Sequence, residues 1–160
     1  MKSIETKICK FIVTLGPVGS LPAPGTMGTL CALPLLLGVR HLRAMSGFLD
    51  EGVIVGILVF AVVWLIDKAL VEFDNDDNDP SEIVIDEVIG FFVTMLFLPL
   101  NIVTVVLAFI YFRFFDIVKP FGIERLENIE GGWGIVLDDI AAAIYARIFL
   151  DITLYFIVAG

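Results

Sequence analysis

The chain has 160 residues, of which 59% are hydrophobic and 18% are charged, and its mean hydropathy is +0.98. This balance is far more apolar than that of a soluble globular domain, so it predicts a multi-pass membrane protein with a single domain over residues 1–160. The formal net charge of −9 argues against nucleic acid as a partner, because phosphate backbones bind to basic surfaces. The surplus carboxylates are suited to cations instead.

Residues 1–23 are predicted to be an approach segment that precedes the first membrane helix. Its lysines stand before a short apolar stretch, 11–21, as in a signal peptide, but prolines interrupt the stretch and no small-residue cleavage pattern follows. We therefore expect the segment to be retained and its apolar part to lie in the membrane interface.

Five apolar segments are predicted to be membrane-embedded helices, because each approaches the roughly 20 residues that a helix needs to cross a bilayer. The segments are residues 27–41, 53–71, 83–98, 102–118 and 138–158. The predicted fold is therefore all-α, a multi-pass bundle of membrane helices.

The uncharged run 88–112 decides the architecture. It has 25 residues, and as one helix it would be about 37 Å long, which would place Glu87 and Asp116 on opposite sides of the bilayer. Pro99 interrupts the run near its middle, because it removes a backbone donor and biases Leu98 away from the helical conformation. A helical hairpin is therefore predicted, and it returns Asp116 to the side of Glu87.

With these crossings, every polar motif lies on one face of the membrane. The same face collects most of the lysines and arginines, whereas the opposite loops hold only Arg40 and Arg43. The positive-inside bias therefore predicts that the motif face is cytoplasmic. The acidic segment 74–79 is expected to be a solvated loop on this face.

The first acidic pair is Asp86 and Glu87, in a segment that begins at Pro80 and Ser81. Ser81 is expected to cap the helix that follows. In one interpretation both acids are simply solvated at a helix start. In the other they are functional, because ionisable groups at the membrane boundary are costly and are retained for a purpose.

A second acidic pair, Asp138 and Asp139, follows a glycine-rich bend at 131–134, where the backbone can approach a ligand closely. Helix capping alone explains one acidic pair on this face, but it explains two pairs together with Asp116 less well. Together the pairs can supply the oxygen ligands that Mg²⁺ prefers. The predicted metal ligands are Asp86, Glu87, Asp138 and Asp139.

Arg113, Asp116 and Lys119 follow one another at intervals of three residues, so they lie roughly along one side of a helix that Pro120 ends. Two interpretations remain open. In the first, Arg113 and Asp116 form an ordinary surface pair and Lys119 reaches water. In the second, Arg113 clamps a phosphate, Lys119 adds a positive charge, and Asp116 orients Arg113 or binds metal.

The segment 24–29, Pro-Gly-Thr-Met-Gly-Thr, opens the first predicted span. Free backbone N–H groups and the helix dipole favour an anion there. Gly25 and Thr26 are the candidate phosphate donors, and Thr26 is also a candidate cap. A plain turn before a helix is the alternative, since the segment matches neither a Walker loop nor a dinucleotide-binding pattern.

Cysteine and histidine chemistry is not expected. Cys31 lacks the arginine six residues later that a cysteine-phosphatase loop needs, and His41 lies on the face opposite the acids. Arg147 and Asp151 are four residues apart within the last span, so we expect them to satisfy each other as a structural pair.

Four motifs stand in register along the chain: 24–29, 79–90 with the first acidic pair, 112–120 with Arg113, and 131–139 with the second acidic pair. In this order and spacing they resemble the bacterial phosphatidylglycerophosphatase A family. The resemblance covers residues 11–158. Gly122 stands where the family often has a second proline, a departure that concerns loop stiffness rather than chemistry.

The resemblance implies an all-helical, Mg²⁺-dependent lipid phosphatase of the bacterial inner membrane, which converts phosphatidylglycerophosphate to phosphatidylglycerol and inorganic phosphate. The acidic pairs would hold Mg²⁺, while Arg113, Lys119 and the donors at Gly25 and Thr26 would neutralise the transferring phosphoryl group. The candidate catalytic residues are Asp86, Glu87, Arg113, Asp116, Lys119, Asp138 and Asp139.

A divalent-cation transporter or channel subunit is the alternative function, with the same acids around an ion path. It would require acids deep in several spans, and only Asp151 approaches this. A structural membrane subunit is a third interpretation. Neither the transporter nor the structural subunit explains Arg113 and Lys119 beside the carboxylates as well as a phosphate substrate does. The oligomeric state, the nucleophile and the acyl preference stay open.

Overall fold

The computed structural model describes residues 3–47, 50–73 and 80–159. These residues form six α-helices and no β-strand, so the all-α prediction is confirmed for them. The helices are α1 (Ile4–Val13), α2 (Pro24–Ser46), α3 (Glu51–Ala69), α4 (Ile85–Met95), α5 (Ile102–Val118) and α6 (Gly132–Ala159), with short 3₁₀ segments at Val18–Ser20, Leu70–Glu72 and Pro120–Asn128. The predicted acidic loop 74–79 and Lys2 lie outside the described residues.

Two of the helices are long and apolar enough to cross a membrane: Glu51–Glu72 and Gly132–Ile157. The outer surfaces of the bundle expose large apolar side chains, which is consistent with a membrane protein. Examples on α2, α3, α5 and α6 are Leu37, Phe60, Ile110 and Phe156.

The predicted hairpin between α4 and α5 is confirmed, but the predicted extent of its first helix was wrong. Helix α4 has only 11 residues and ends at Met95, because Leu96 leaves the helical conformation and Phe97 adopts a φ of +61°. Pro99 follows in the connection. Helix α5 then begins after Asn101, whose side chain accepts a hydrogen bond from the backbone N–H of Thr104 at 2.9 Å.

Helix α4 lies at the centre of the bundle and packs against α2, α3, α5 and α6. Phe91 and Met95 are fully buried on it. Gly90 permits the closest approach, because a Cβ there would lie 2.6 Å from ring atoms of Phe112 and 3.2 Å from the carbonyl oxygen of Asp139. This glycine therefore sets the spacing between α4 and the helices that carry the other polar motifs.

Two arginines satisfy the backbone carbonyls where α4 ends. Arg40 Nη2 donates to the carbonyl oxygen of Met95 at 2.9 Å, and Arg147 Nη1 donates to that of Leu96 at 2.5 Å. Arg147 is also paired with Asp151 at 2.9 Å, which confirms the predicted pair. The last carbonyls of a helix have no intrahelical donor, and these two arginines supply donors where α4 ends.

Arg40 was predicted to lie in a loop, and this was wrong. Helix α2 continues to Ser46, so Arg40 and Arg43 are both helical. Both reach the carboxylate of Glu51, at 3.1 and 3.7 Å, and the Glu51 side chain is only 1% exposed. The sequence analysis assigned no role to this buried acid.

The N-terminal helix begins earlier than the apolar stretch 11–21 suggested. Ser3 caps α1, and the helix exposes Ile4, Ile8 and Phe11 along one side. At its other end the carbonyl oxygen of Val13 accepts a hydrogen bond from Val84, just before α4, at 3.0 Å. The approach segment therefore supports the start of α4.

Gly90→Ala is expected to destabilise the fold by about 1–3 kcal/mol, because the added methyl group overpacks the contact with Phe112. Gly56→Ala is the matched control: Gly56 is also helical, and its Cβ would meet nothing within 4 Å. The measurement is the thermal unfolding midpoint of both variants in detergent. Equal midpoints for the two variants would contradict the proposed close contact.

Candidate active site

A polar cavity of about 280 Å³ lies where α2 and α4 begin and α5 ends, beside the first turns of α6. It collects every side chain that the sequence singled out as catalytic, although these come from three helices and the residue after one of them. The lining residues are Ala23, Pro24, Gly25, Ser81, Ile83, Asp86, Glu87, Arg113, Asp116, Lys119, Asp138 and Asp139.

Three carboxylates meet in this cavity. One oxygen each from Asp86, Glu87 and Asp139 lies within 4.8 Å of the other two. Oε2 of Glu87 and Oδ2 of Asp139 are buried and have no hydrogen-bond partner among the described residues. Buried carboxylate oxygens without donors are costly unless a cation compensates them, so this group fits an oxygen-coordinated divalent cation.

The local fold explains why Asp86 and Glu87 point into the cavity. Helix α4 begins at Ile85, so both acids lie in its first turn, where the helix dipole favours negative charge. The prediction that Ser81 caps this helix was wrong. Val84 occupies the cap position without a side-chain bond, and Ser81 instead lies exposed at the cavity.

Arg113 lies inside the cavity rather than on the surface. Its side chain is 15% exposed and is paired with Asp116, and its Nη1 atom lies 3.8 Å from Oε1 of Glu87. The Nε atom of Arg113 is buried and has no hydrogen-bond partner in the described part of the chain. The pair therefore contacts the carboxylate group directly, unlike an exposed helix-surface pair.

Lys119 enters the cavity by a change of backbone direction. Helix α5 ends at Val118, and Lys119 adopts a left-handed conformation with φ of +45° before Pro120. Its Nζ atom donates to Oδ2 of Asp138 at 2.5 Å. A left-handed lysine is uncommon and somewhat strained, as is frequent for residues held at functional sites.

The first turn of α2 closes the cavity on another side. Pro24 is its first residue, the cap is Ala23, and no side chain caps the helix. A Cβ on Gly25 would collide with Oε1 of Glu87 and lie 3.0 Å from both Nη atoms of Arg113, so a larger residue would displace these two side chains from their present positions. The first N–H groups of a helix have no intrahelical partner, so the uncapped start of α2 is suited to an anion.

The prediction that Thr26 caps α2 was wrong, because Ala23 precedes Pro24 at the cap position. Thr26 is the third residue of the helix and is not one of the residues that line the cavity. A different threonine contacts the first turn of α2: the hydroxyl group of Thr29 donates to the carbonyl oxygen of Gly25 at 2.9 Å.

The glycine-rich bend before α6 approaches another helix rather than a ligand. The N–H of Gly132 donates to Oδ1 of Asp67 at 2.6 Å, and a Cβ on Gly132 would lie 2.6 Å from the carbonyl oxygen of Val63. Asp67 thus caps α6 from α3, a role that the sequence analysis missed. Its only signal was an acid at the end of an apolar span.

Acidic side chains outnumber basic side chains in the cavity. Five of its lining side chains are acidic and two are basic, and each basic group is already paired with an acid, Arg113 with Asp116 and Lys119 with Asp138. The three remaining carboxylates form the group described above. The arrangement is therefore suited to a divalent cation beside two fixed positive charges, which is the composition of a phosphate-binding site.

Comparison with known proteins identifies a matching family. The family model for phosphatidylglycerophosphatase A matches residues 11–154. A phosphatidylglycerophosphatase A of Haemophilus influenzae is 39% identical over 132 residues, which are 79% of this chain and 76% of that protein. The phosphatidylglycerophosphatase A of Escherichia coli is 35% identical over 125 residues, 76% of this chain and 68% of that protein.

A third relative carries a different name. A Bacteroides thetaiotaomicron protein, provisionally named phosphatidylinositol-3-phosphatase, is 34% identical over 134 residues, 81% of this chain and 82% of that protein. No solved structure shows a significant match.

Mg²⁺ is expected to raise the thermal unfolding midpoint, because a cation bound only by the folded protein relieves repulsion among the three carboxylates. At a concentration 100 times the dissociation constant the gain is about 2.7 kcal/mol. The midpoint is measured in MgCl₂ and in NaCl of equal ionic strength. Asp86→Asn should lose the difference, and an equal shift in both salts for the unmodified protein would contradict a specific cation site.

Proposed function

The chain belongs to the phosphatidylglycerophosphatase A family, so it is a phosphatase, and we propose that it hydrolyses phosphatidylglycerophosphate to phosphatidylglycerol and inorganic phosphate in a Mg²⁺-dependent reaction. The observation that carries this proposal is the placement of Arg113 and Lys119 beside three carboxylates in one cavity. Cation transport alone would not require two fixed positive charges there.

Asp86, Glu87 and Asp139 would hold the divalent cation in the proposed site. Asp138 is the fourth ligand predicted from the sequence. Its Oδ2 atom accepts a hydrogen bond from Lys119, and its Oδ1 atom is buried without a partner among the described residues. A bound Mg²⁺ would supply positive charge to the phosphoryl oxygens and make a coordinated water more acidic. Its preference for carboxylate, water and phosphate oxygens matches the groups that this reaction brings together.

The remaining residues would bind the phosphomonoester. Arg113 can present parallel N–H donors to two phosphoryl oxygens, and Lys119 adds a compact positive charge. The N–H groups of Gly25 and Thr26, at the uncapped start of α2, would donate to a further oxygen. Asp116 would keep the Arg113 guanidinium in position.

In the proposed reaction, water attacks phosphorus and the bond between phosphorus and the glycerol oxygen breaks. The water oxygen leaves in inorganic phosphate, and the glycerol oxygen regains a proton as a hydroxyl group. Arg113 and Lys119 would stabilise the charge on the equatorial oxygens during this transfer. The substrate assignment rests on the named relatives, because the shared chemistry of the cavity is that of any phosphomonoester on a lipid headgroup.

We also propose that the single domain is embedded in the bacterial cytoplasmic membrane by five helices, α2 to α6, with the cavity on the cytoplasmic face. The span-length helices α3 and α6 support this, as do the apolar outer surfaces. Helix α4 is too short to cross alone, and Arg40 and Arg147 satisfy its end within the bundle. A lipid headgroup could then reach the cavity from the membrane surface.

Glu87→Gln is expected to abolish phosphate release from phosphatidylglycerophosphate, because the amide removes a negative charge from the cation site without changing side-chain volume. Release is measured in detergent micelles with and without Mg²⁺. Glu124→Gln is the matched control, since Glu124 is exposed and does not line the cavity.

Retention of full activity in the Glu87→Gln variant would contradict this role. Release by the unmodified protein that is equal with Mg²⁺ and with a chelator would contradict metal dependence. Absence of release under every divalent cation, together with cation flux into vesicles, would favour the transporter alternative.

The proposed orientation is tested with single cysteines in a background that lacks Cys9 and Cys31. Ser81→Cys, at the cavity, should react with an impermeant thiol reagent only after the cells are opened. The side chain of Met45, near the end of α2, is 73% exposed. Met45→Cys should therefore react in cells whose outer membrane is permeabilised and whose inner membrane is intact. The opposite pattern would place the cavity outside the cytoplasm.

A further inference from the structure

We infer that the adjacent aspartates of α6 have different tasks: Asp139 holds the cation, whereas Asp138 is a positioning residue that holds Lys119 against the substrate phosphate. The inference rests on the proposed function and deepens it. The sequence alone treats the two residues as an equivalent pair of ligands. Their surroundings in the fold differ.

Asp139 faces α4 and its acids. Its backbone comes within 3.2 Å of the position that a Cβ on Gly90 would occupy, so α6 and α4 are in close contact at this residue. One of its oxygens belongs to the group within 4.8 Å that includes Asp86 and Glu87. Its Oδ2 atom is buried and has no hydrogen-bond partner among the described residues. Oδ1 of Asp138 is likewise buried without a partner among the described residues, so the two aspartates are distinguished by position: only Asp139 belongs to the three-carboxylate group.

Asp138 faces the end of α5. Its side chain is 3% exposed, and Oδ2 accepts a hydrogen bond from Nζ of Lys119 at 2.5 Å. It is not part of the three-carboxylate group. Successive residues of a helix point in directions about 100° apart, so one backbone position can serve the cation while the next serves Lys119.

The left-handed conformation of Lys119 explains why an acid at position 138 is useful. This conformation directs the lysine into the cavity, which the carboxylates of the three-carboxylate group also line. An ammonium group among those carboxylates would compete with the cation for the same oxygens. By pairing with Lys119, Asp138 keeps the ammonium group out of the cation site and available to the phosphate.

Asp116 and Arg113 repeat this arrangement on α5. Asp116 is paired with Arg113, and Arg113 Nη1 is 3.8 Å from Oε1 of Glu87. Both basic groups of the cavity are therefore held by an acid outside the three-carboxylate group. Because five acids and two bases line the cavity, a net negative charge remains at its carboxylates.

The test measures Mn²⁺ binding without substrate, by the electron paramagnetic resonance signal of free Mn²⁺ in detergent. Asp139→Asn should weaken binding by about tenfold or more, because a ligand is lost. The decisive comparison is the double variant Asp138→Asn with Lys119→Met, which removes a neutral pair and leaves the net charge unchanged. Its affinity for Mn²⁺ should stay within about threefold of that of the unmodified protein.

The positioning role is tested with radiolabelled orthophosphate, bound at equilibrium in the presence of Mn²⁺. Asp138→Asn and Lys119→Met should each weaken phosphate binding by about tenfold, and the double variant should be no weaker than either, because the residues act as one unit. A merely structural role for Asp138 would not produce this pattern. Lys119→Arg should restore part of the affinity.

Loss of Mn²⁺ binding in the double variant, to the level of Asp139→Asn, would overturn the inference by making Asp138 a ligand. Additive losses of phosphate affinity would overturn the positioning role. If Asp138→Asn fails to fold, orthophosphate binding by Lys119→Met decides: a loss of about tenfold in phosphate affinity supports the inference, and unchanged phosphate affinity overturns it. Neither measurement requires turnover, so failure of the unmodified protein to hydrolyse the lipid would reject the proposed function separately.

Discussion

The structure depends on the burial of five carboxylates at one end of an apolar helical bundle. Removing charges from water is costly unless they are paired or bound to a cation. Arg113 and Lys119 are the two basic side chains that line the cavity and pair with Asp116 and Asp138, and the other three carboxylates converge on one position, where Arg113 also reaches Glu87 at 3.8 Å. A cation at that position completes the compensation, so the same constraint accounts for the fold of this region and for its proposed chemistry.

A second constraint of the same kind acts at the far end of α4. The helix is only 11 residues long, and its last carbonyls would lack donors inside an apolar bundle. Arg40 and Arg147 supply those donors, and Glu51 and Asp151 hold the two arginines. The helix that carries the central acids is therefore fixed at both ends. Fixed supporting elements keep functional groups in a defined geometry, which metal and phosphate sites require.

Much of this arrangement could be predicted from the sequence. Pro99 in a long uncharged run indicated a hairpin, and the hairpin brought Glu87 and Asp116 to one cavity, as the structure confirms. The acidic pairs and the Arg113 motif were predicted to form one site because each lies at the edge of an apolar run. The all-helical fold followed from the length and composition of those runs.

Other features could not be predicted because they depend on which helices pack together. Spacing placed Lys119 on the helix face of Arg113, whereas the helix ends one residue earlier and a left-handed turn directs the lysine to Asp138. Asp138 and its neighbour differ only through the helices they face. Asp67 caps α6 from a helix distant in sequence, and Gly25 leaves room for Oε1 of Glu87, which lies against it. None of these contacts leaves a periodic signal in a single sequence.

Anomalous diffraction from crystals of the unmodified protein grown with Mn²⁺ would test the central claim most directly, because it locates the cation without reference to activity. The account predicts one peak among the oxygens of Asp86, Glu87 and Asp139, with Lys119 still bonded to Asp138. A peak coordinated by Asp138 with Lys119 displaced, or a cavity without any peak, would contradict it.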